Sequence, residues 1–202
     1  MNDVAKYFDD RAEMWTQMEE HTKSPVQPAV ARMAGIGEGS RVLDLGCGLG
    51  VMMPVYRQLG ATHVLGVDVS EKMIELARDR WLDEPWVEFL NADAAQLCID
   101  EQFDAVVIYN AYPHFMNRQA LISTCHRLLA DNGRFVVAHG SGKDDINSHH
   151  DAVARGVSLG LASAREESAA WEGLFEIDAI VDTPCFYAFA GRKSNEAGDT
   201  SL

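Results

Sequence analysis

The sequence predicts an α/β fold: a doubly wound, mostly parallel sheet of seven strands, helices on both faces, and an antiparallel strand pair at the C-terminal end. Three observations predict it. From residue 41 to residue 139, short apolar runs of strand length alternate with amphipathic stretches of helical length, the pattern of a parallel sheet covered on both faces. The last two strand-like runs are joined only by Asp182-Thr-Pro-Cys185, too short for the crossover helix that parallel neighbours need. At 202 residues the chain can bury a core of its own and fits one domain.

The elements follow in order. Val4 to Met18 places Val4, Tyr7, Phe8, Met14 and Trp15 at near-helical spacing. Ser24-Pro25 reads as an N-cap and first helical residue for a helix to about Met33, which Gly35 to Ser40 breaks. Arg41–Leu45 is a buried strand, followed by a glycine-rich turn and an apolar helix from about Leu49 to Leu59. His63–Val67 is the second strand, and Ser70 caps a helix from Glu71 to about Trp81 in which Met73, Ile74 and Ala77 recur. Trp86–Leu90 and Phe103–Tyr109 are the third and fourth strands. Asn117 caps a helix carrying Leu121, Ile122, Cys125, Leu128 and Leu129; Asn132-Gly133 ends it, and Arg134–His139 is the fifth strand. A helical stretch from about Ile146 to Leu174 precedes the final strands, Phe175–Val181 and Phe186–Ala190. This gives one domain over residues 1–193, with an N-terminal helical segment to about residue 34, and a polar tail, 194–202, expected to fray.

Charge narrows the partners. Lys and Arg total 17 against 31 Asp and Glu, a formal net charge of −14. That field repels a phosphate polymer unless a basic face stands out, and none does: Arg78 and Arg80 flank Asp79, and Arg192-Lys193 sits near the tail. Nucleic acid and membrane surfaces are not expected partners. No apolar run approaches the roughly 18 residues of a membrane span, and Met1 to Asp10 lacks the apolar segment of a secretory signal. Cys47, Cys98, Cys125 and Cys185 are scattered with no CxxC spacing, so they read as small hydrophobes in a reduced cytoplasm.

The informative stretch is Val42-Leu-Asp-Leu-Gly-Cys-Gly-Leu-Gly50. Gly46, Gly48 and Gly50 lie between a strand and a helix start, where bare backbone lets a ligand approach helical N–H groups. Asp68 ends the second strand 18 residues after Gly50, where a carboxylate can accept both hydroxyls of a ribose. The dinucleotide fingerprint G-x-G-x-x-G/A fails, because its third position falls on β-branched Val51. A nicotinamide cofactor is therefore disfavoured.

Val42 to Gly50 resembles motif I of the class I S-adenosylmethionine (SAM)-dependent methyltransferases, which have a Rossmann-like sheet. Val64-Leu-Gly-Val-Asp-Val-Ser70 resembles their second motif, Asn91-Ala-Asp-Ala94 the third, Phe103-Asp-Ala-Val-Val-Ile-Tyr-Asn110 the fourth, and Leu128 to Val137 the following helix–turn–strand. In that last motif Asp131-Asn132 replaces the usual Pro-Gly, and both residues tolerate turn geometry. The resemblance runs from about Asp9 to Lys193 and is closest to small-molecule enzymes of the ubiquinone/menaquinone-methyltransferase type. It implies SAM as cofactor and S-adenosylhomocysteine (SAH) as product. It also implies that Gly46, Cys47 and Gly48 line the methionine part and Asp68 the ribose. Val69 and Met73 would flank the adenine, Asp93 and Ala94 would meet its edge, and Asn110 and Ala111 would lie beneath the methionine part. Asp44 either orients the loop or contacts the SAM amine through water.

Methyl transfer requires alignment and, for a protonated acceptor, a base. Tyr109, Tyr112 and His114 follow the fourth strand; His139 ends the fifth, with His149 and His150 beyond it. His114, His139 and one of His149 or His150 could converge over the methyl group as a general base or relay, or as a metal site through His139, His149 and His150; adjacent histidines point apart on a helix, and packing or solvated imidazoles are the other reading. Tyr7 to Trp15 is expected, on the resemblance, to fold over the cleft as a lid; a permanently packed helix explains the same spacing. The expected partner is a small-molecule acceptor, with the chain a monomer or homodimer. The alternative is a SAM-binding regulatory or partner module without catalysis.

Overall fold

The computed structural model describes residues 3–19 and 25–194. Its strands are β1 (Arg41–Leu45), β2 (His63–Asp68), β3 (Val87–Asn91), β4 (Phe103–Tyr109), β5 (Leu129–His139), β6 (Phe175–Thr183) and β7 (Phe186–Lys193). Its helices are α1 (Asp3–Asp9), α2 (Ala12–Glu19), α3 (Gln27–Met33), α4 (Met53–Gln58), α5 (Glu71–Arg80), α6 (Arg118–Leu128), α7 (Lys143–Val153) and α8 (Ala164–Ala169). The strands form one seven-stranded sheet in the order β3-β2-β1-β4-β5-β7-β6. All neighbours from β3 to β5 pair in parallel, and β7 runs antiparallel to both β5 and β6. The order turns back between β1 and β4, and at such a switch point the crevice beyond the strands' carboxyl ends takes ligands.

Successive residues of one strand face opposite sides of the sheet. Leu43 and Val106 pack on one face with Phe135, Trp171 and Phe189, whereas Val42 and Val107 pack on the other with Tyr56, Val64 and Ala188. Both faces are thus buried, which is why the strands read as apolar runs rather than alternations.

Several boundaries differ from the sequence expectation, each for a local reason. The N-terminal helix breaks at Asp10-Arg11, where the Arg11 guanidinium turns back onto the Tyr7 ring, 4.0 Å away, and the Tyr7 carbonyl. Helix α3 starts at Gln27 with a proline in its first turn, and Ser24, the expected cap, lies outside the described residues. The glycine turn extends further than expected, so α4 begins at Met53, also with a proline in its first turn. Strand β5 begins at Leu129, where the preceding helix was expected to continue to Asn132-Gly133. Asn132 takes a left-handed φ of 62°, and the β4–β5 register shifts between Phe103 and Ala105, so a bulge absorbs the turn residues. The expected helix from Ile146 to Leu174 is two helices, α7 and α8, with residues 154–163 between them. Side chains hold that connection: Asn147 bonds both the N–H and the carbonyl of Leu161, and Glu167 accepts from the Ala162 N–H. The expected tail lies outside the described residues from 195 onward.

Candidate active site

The carboxyl ends of β1, β2 and β4, the loops after them, and the N-terminal helices enclose a cavity of about 290 Å³. Its floor is the glycine turn. The N–H groups of Gly46 and Cys47 both donate to the Val67 carbonyl, at 2.8 and 3.1 Å, fixing the turn to the end of β2. Gly46 has φ of 74°, and a β-carbon there would sit 2.4 Å from the Ala111 β-carbon. Its bareness serves the close approach of the loop after β4. Gly48 has φ of 52°, yet a β-carbon there would meet nothing within 4 Å; this is the glycine that leaves room for a ligand. Gly50 packs against Trp81 and does not line the cavity.

Asp68 ends β2 with one carboxylate oxygen accepting from Gly48 N–H and the other from Ser70 N–H, each at 2.9 Å. Burial raises its pKa from the ordinary carboxylate value. Asp93, at the tip beyond β3, caps a 3₁₀ turn (Ala94–Gln96) by accepting from Ala95 N–H and also accepts from Gln96 Nε2. Val69, Met73 and Ala94 line the space between these acids. Asn110 adopts φ of 56° and accepts from Gly140 N–H at 2.9 Å, which presents Ala111 to the cavity. Asp44 stays outside: it is 2% exposed, accepts from Tyr56 OH at 3.1 Å, and is pushed up to about 7 by burial. Among the two readings of Asp44, loop orientation from behind the turn matches this placement. Two acids on adjacent strand tips, an apolar slot between them and an open glycine turn fit a nucleoside with an amino-acid arm.

The other end of the same cavity is lined by Tyr109, His114, Phe115, Met116, His149 and His150. His114 Nδ1 lies 2.9 Å from the Val157 carbonyl. A carbonyl only accepts, so Nδ1 carries the proton and Nε2 keeps its lone pair in the neutral ring. Burial lowers the His114 pKa. The His150 ring is 4.9 Å from that of His114 and 6.0 Å from that of His149, and its Nδ1 meets Ser158 Oγ at 2.8 Å. Partial burial, then His114 and His149, pushes His150 down to about 4. His139 lies behind them and does not line the cavity: it is 3% exposed, packs edge-on to Tyr187, and is pushed down to about 3 by burial, then by His150 and His114. The register that places His139 opposite Tyr187 on β7 sends it into the sheet's packing. Tyr112 is likewise buried, against Trp171 and Phe189. Among the described residues no group of three or more His, Cys, Asp or Glu is placed to hold a metal ion, so the expected His139, His149 and His150 set does not assemble as one.

Val4, Tyr7, Phe8 and Trp15 cover the cavity. Tyr7 stacks on His114 at 6.5 Å and Phe8 meets it edge-on at 4.8 Å. Sequence reading missed Phe115, Met116 and Val51 as lining residues; nothing in their local spacing separates them from core apolars. Among the described residues no Lys or Arg lines the cavity.

Residues 43–137 match the methyltransferase domain family. A demethylmenaquinone methyltransferase of Clavibacter sepedonicus is 34% identical over 110 residues, covering 54% of this chain and 44% of that relative. The match thus spans less than half of that protein's length. The fold is shared by the methyltransferase solved in complex with the Trm112 activator from Haloferax volcanii, with a TM-score of 0.80, 21% identity, and coverage of 96% and 99% of the two chains. It is also shared by the [4+2]-cyclase SpnF, with a TM-score of 0.77, 16% identity and 94% coverage of each chain. With the seven-stranded sheet and the glycine-turn cavity, the match at residues 43–137 supports a class I SAM-dependent methyltransferase domain, for which SAM is the expected cofactor.

Proposed function

We propose that this chain transfers the methyl group of SAM to a small, uncharged or cationic acceptor, with His114 as the base. One observation carries the reading: a single cavity joins the cofactor-type end, with Gly48, Asp68 and Asp93, to an aromatic and imidazole end, with His114, Phe115 and His150. Its volume, about 290 Å³, lies near the lower end of small-molecule sites, roughly 300–1,000 Å³. The absence of Lys and Arg from its lining among the described residues disfavours a polyanionic acceptor. The relative that methylates demethylmenaquinone makes phenols and quinols the first acceptors to test.

Bound SAM supplies an electrophilic methyl group on a sulfonium whose carbon–sulfur bond breaks as the acceptor bond forms. The protein's part is placement and proton removal. Gly48 and Asp68 fix the donor end, and Phe115 and Met116 offer apolar surface to the acceptor. His114, neutral and held through Nδ1–H on the Val157 carbonyl, takes the acceptor's proton at Nε2. The test is transfer of labelled methyl from SAM to separate pools of quinols, phenols, thiols, amines and carboxylates. In the productive pool, His114→Gln should lower kcat by about 100-fold, the scale of one general base, with SAH affinity within about twofold of wild type. An undiminished kcat removes His114 from the chemistry.

A second reading is a SAM-binding module without methyl transfer. It is favoured by the cyclase among the fold neighbours, because a shared fold does not fix a reaction. Saturable SAM binding with no labelled product in any pool supports it.

A further inference from the structure

A side chain of α1 ties the N-terminal helices to the cofactor end by hydrogen bonds. Asp9, the last residue of α1, accepts through a single oxygen, Oδ1, from Ser70 Oγ–H at 2.6 Å and from Lys72 N–H at 3.1 Å. Both donors belong to the start of α5. Ser70 also accepts from Met73 N–H and donates its own N–H to Asp68. Asp9 is therefore one bonded residue away from the acid at the end of β2.

The helix after the latch carries Trp15, which packs with Leu49 and Met73 and lines the cavity alongside Gly48 and Asp68. Its indole Nε1 is buried and has no hydrogen-bond partner among the described residues. A buried N–H without an acceptor is costly, whereas Trp81, the other indole near the glycine turn, donates to the Leu49 carbonyl at 3.1 Å. The acceptor that Trp15 lacks among the described residues is available from a ligand rich in oxygen: the ribose hydroxyls and carboxylate of SAM lie within the chemistry that this cavity end takes.

We propose that Asp9 is a positioning residue of the cofactor site, holding α1 and α2 over the cavity so that Trp15 donates its indole N–H to an oxygen of bound SAM or SAH. The inference rests on the cofactor and not on methyl transfer, so its test needs no acceptor. SAH binding is measured by calorimetry for the wild type, Trp15→Phe, Asp9→Ala, Asp9→Asn and the Trp15→Phe/Asp9→Ala double variant.

Trp15→Phe keeps the ring packing and removes the donor; its SAH Kd should rise about 5- to 10-fold, the scale of one hydrogen bond. Asp9→Ala should weaken SAH by a similar factor, and the double variant should be little worse than Asp9→Ala alone, because the two changes remove one coupled contact. Asp9→Asn retains an Oδ1 able to accept both latch bonds and should bind SAH within about twofold of wild type. That rescue separates the latch from the Asp9 charge, which adds to the effect of burial in raising the Asp68 pKa. Trypsin cleavage after Arg11, in the break between α1 and α2, gives an independent readout. SAH should slow it in the wild type and Asp9→Asn but not in Asp9→Ala. Trp15→Phe binding SAH as tightly as wild type overturns the proposal, as does Asp9→Asn behaving like Asp9→Ala. A wild type that binds no SAH overturns the cofactor assignment with it. Absent methyl transfer, with SAH affinities as expected, overturns only the catalytic reading.

Discussion

Two glycines two residues apart do opposite work, and alanine at each should show it. At Gly46 a β-carbon strikes Ala111 at 2.4 Å on a backbone with φ of 74°. Gly46→Ala should cost about 2–3 kcal/mol of stability, the sum of an overpacked contact and a left-handed alanine. At Gly48 the added carbon meets open space, though φ is 52°. Gly48→Ala should cost about 1 kcal/mol in stability and at least 10-fold in SAH affinity, because the methyl enters the ligand's room. Thermal melts with and without SAH decide this; equal melting points for the two variants would contradict the assignment. Asp44 gives a pH signature. Its folded pKa of about 7 lies above the ordinary value of 3.8 because of burial. Between those values the unfolded chain is ionised while the folded carboxyl stays neutral, so folding takes up a proton and stability falls as pH rises from about 4 to 7, by a few kcal/mol in total. Asp44→Asn removes the titration and can still accept from Tyr56 OH. The variant should gain stability relative to wild type steadily across that window. Parallel melting curves over pH 4–7.5 would show that Asp44 ionises normally.

At the scale of elements, the connection between α7 and α8 depends on Glu167. This residue is 7% exposed and takes both Arg118 contacts at 2.6 Å, the Ala162 N–H and a longer bond from Tyr112 OH. Glu167→Ala leaves the Arg118 charge half-buried without its partner, a change that costs about 3–5 kcal/mol, or roughly 6–15 °C in Tm for a chain of this size. It should also loosen residues 154–163, whose Val157 carbonyl orients His114. Acceptor turnover should then fall more than SAH affinity; a melt within 2 °C of wild type would place the loop's support elsewhere. This is also where the sequence was least legible. The strands were readable because each is an apolar run buried on both faces, and the caps Ser70 and Asn117 accept from Met73 and Ala120 N–H as their residue types suggest. The cofactor end was readable because a glycine turn and a strand-end acid are local patterns. The acceptor end was not: whether His114, His139 or His150 faces the cavity depends on the register of β7 against β5 and on a loop held by Asn147 and Glu167, contacts 14 to 55 residues apart in sequence. The periodicity across 146–174 gave no sign that a loop interrupts it.

For the molecule as a whole, the excess of acids acts on the cofactor's charge. The chain carries a formal net charge of −14, and Asp68 and Asp93 line a cavity that no Lys or Arg lines among the described residues. SAM bears one more positive charge than SAH, because the sulfonium becomes a neutral thioether on transfer. A negative field therefore favours the donor over the spent product, which under the proposed methyl transfer would assist exchange after each turnover without any contact specific to the sulfonium. Such long-range attraction is screened by salt, with a Debye length of about 10 Å at 0.1 M and about 3 Å at 1 M. Between 20 mM and 0.5 M NaCl the Kd for SAM should rise about 3- to 10-fold while that for SAH stays within about twofold. Parallel titrations by calorimetry at four salt concentrations measure both slopes. Equal slopes for the two ligands would mean that the discrimination between donor and product is set inside the cavity, by groups in contact with the sulfur, and that the acidic surface serves only to keep the protein dispersed.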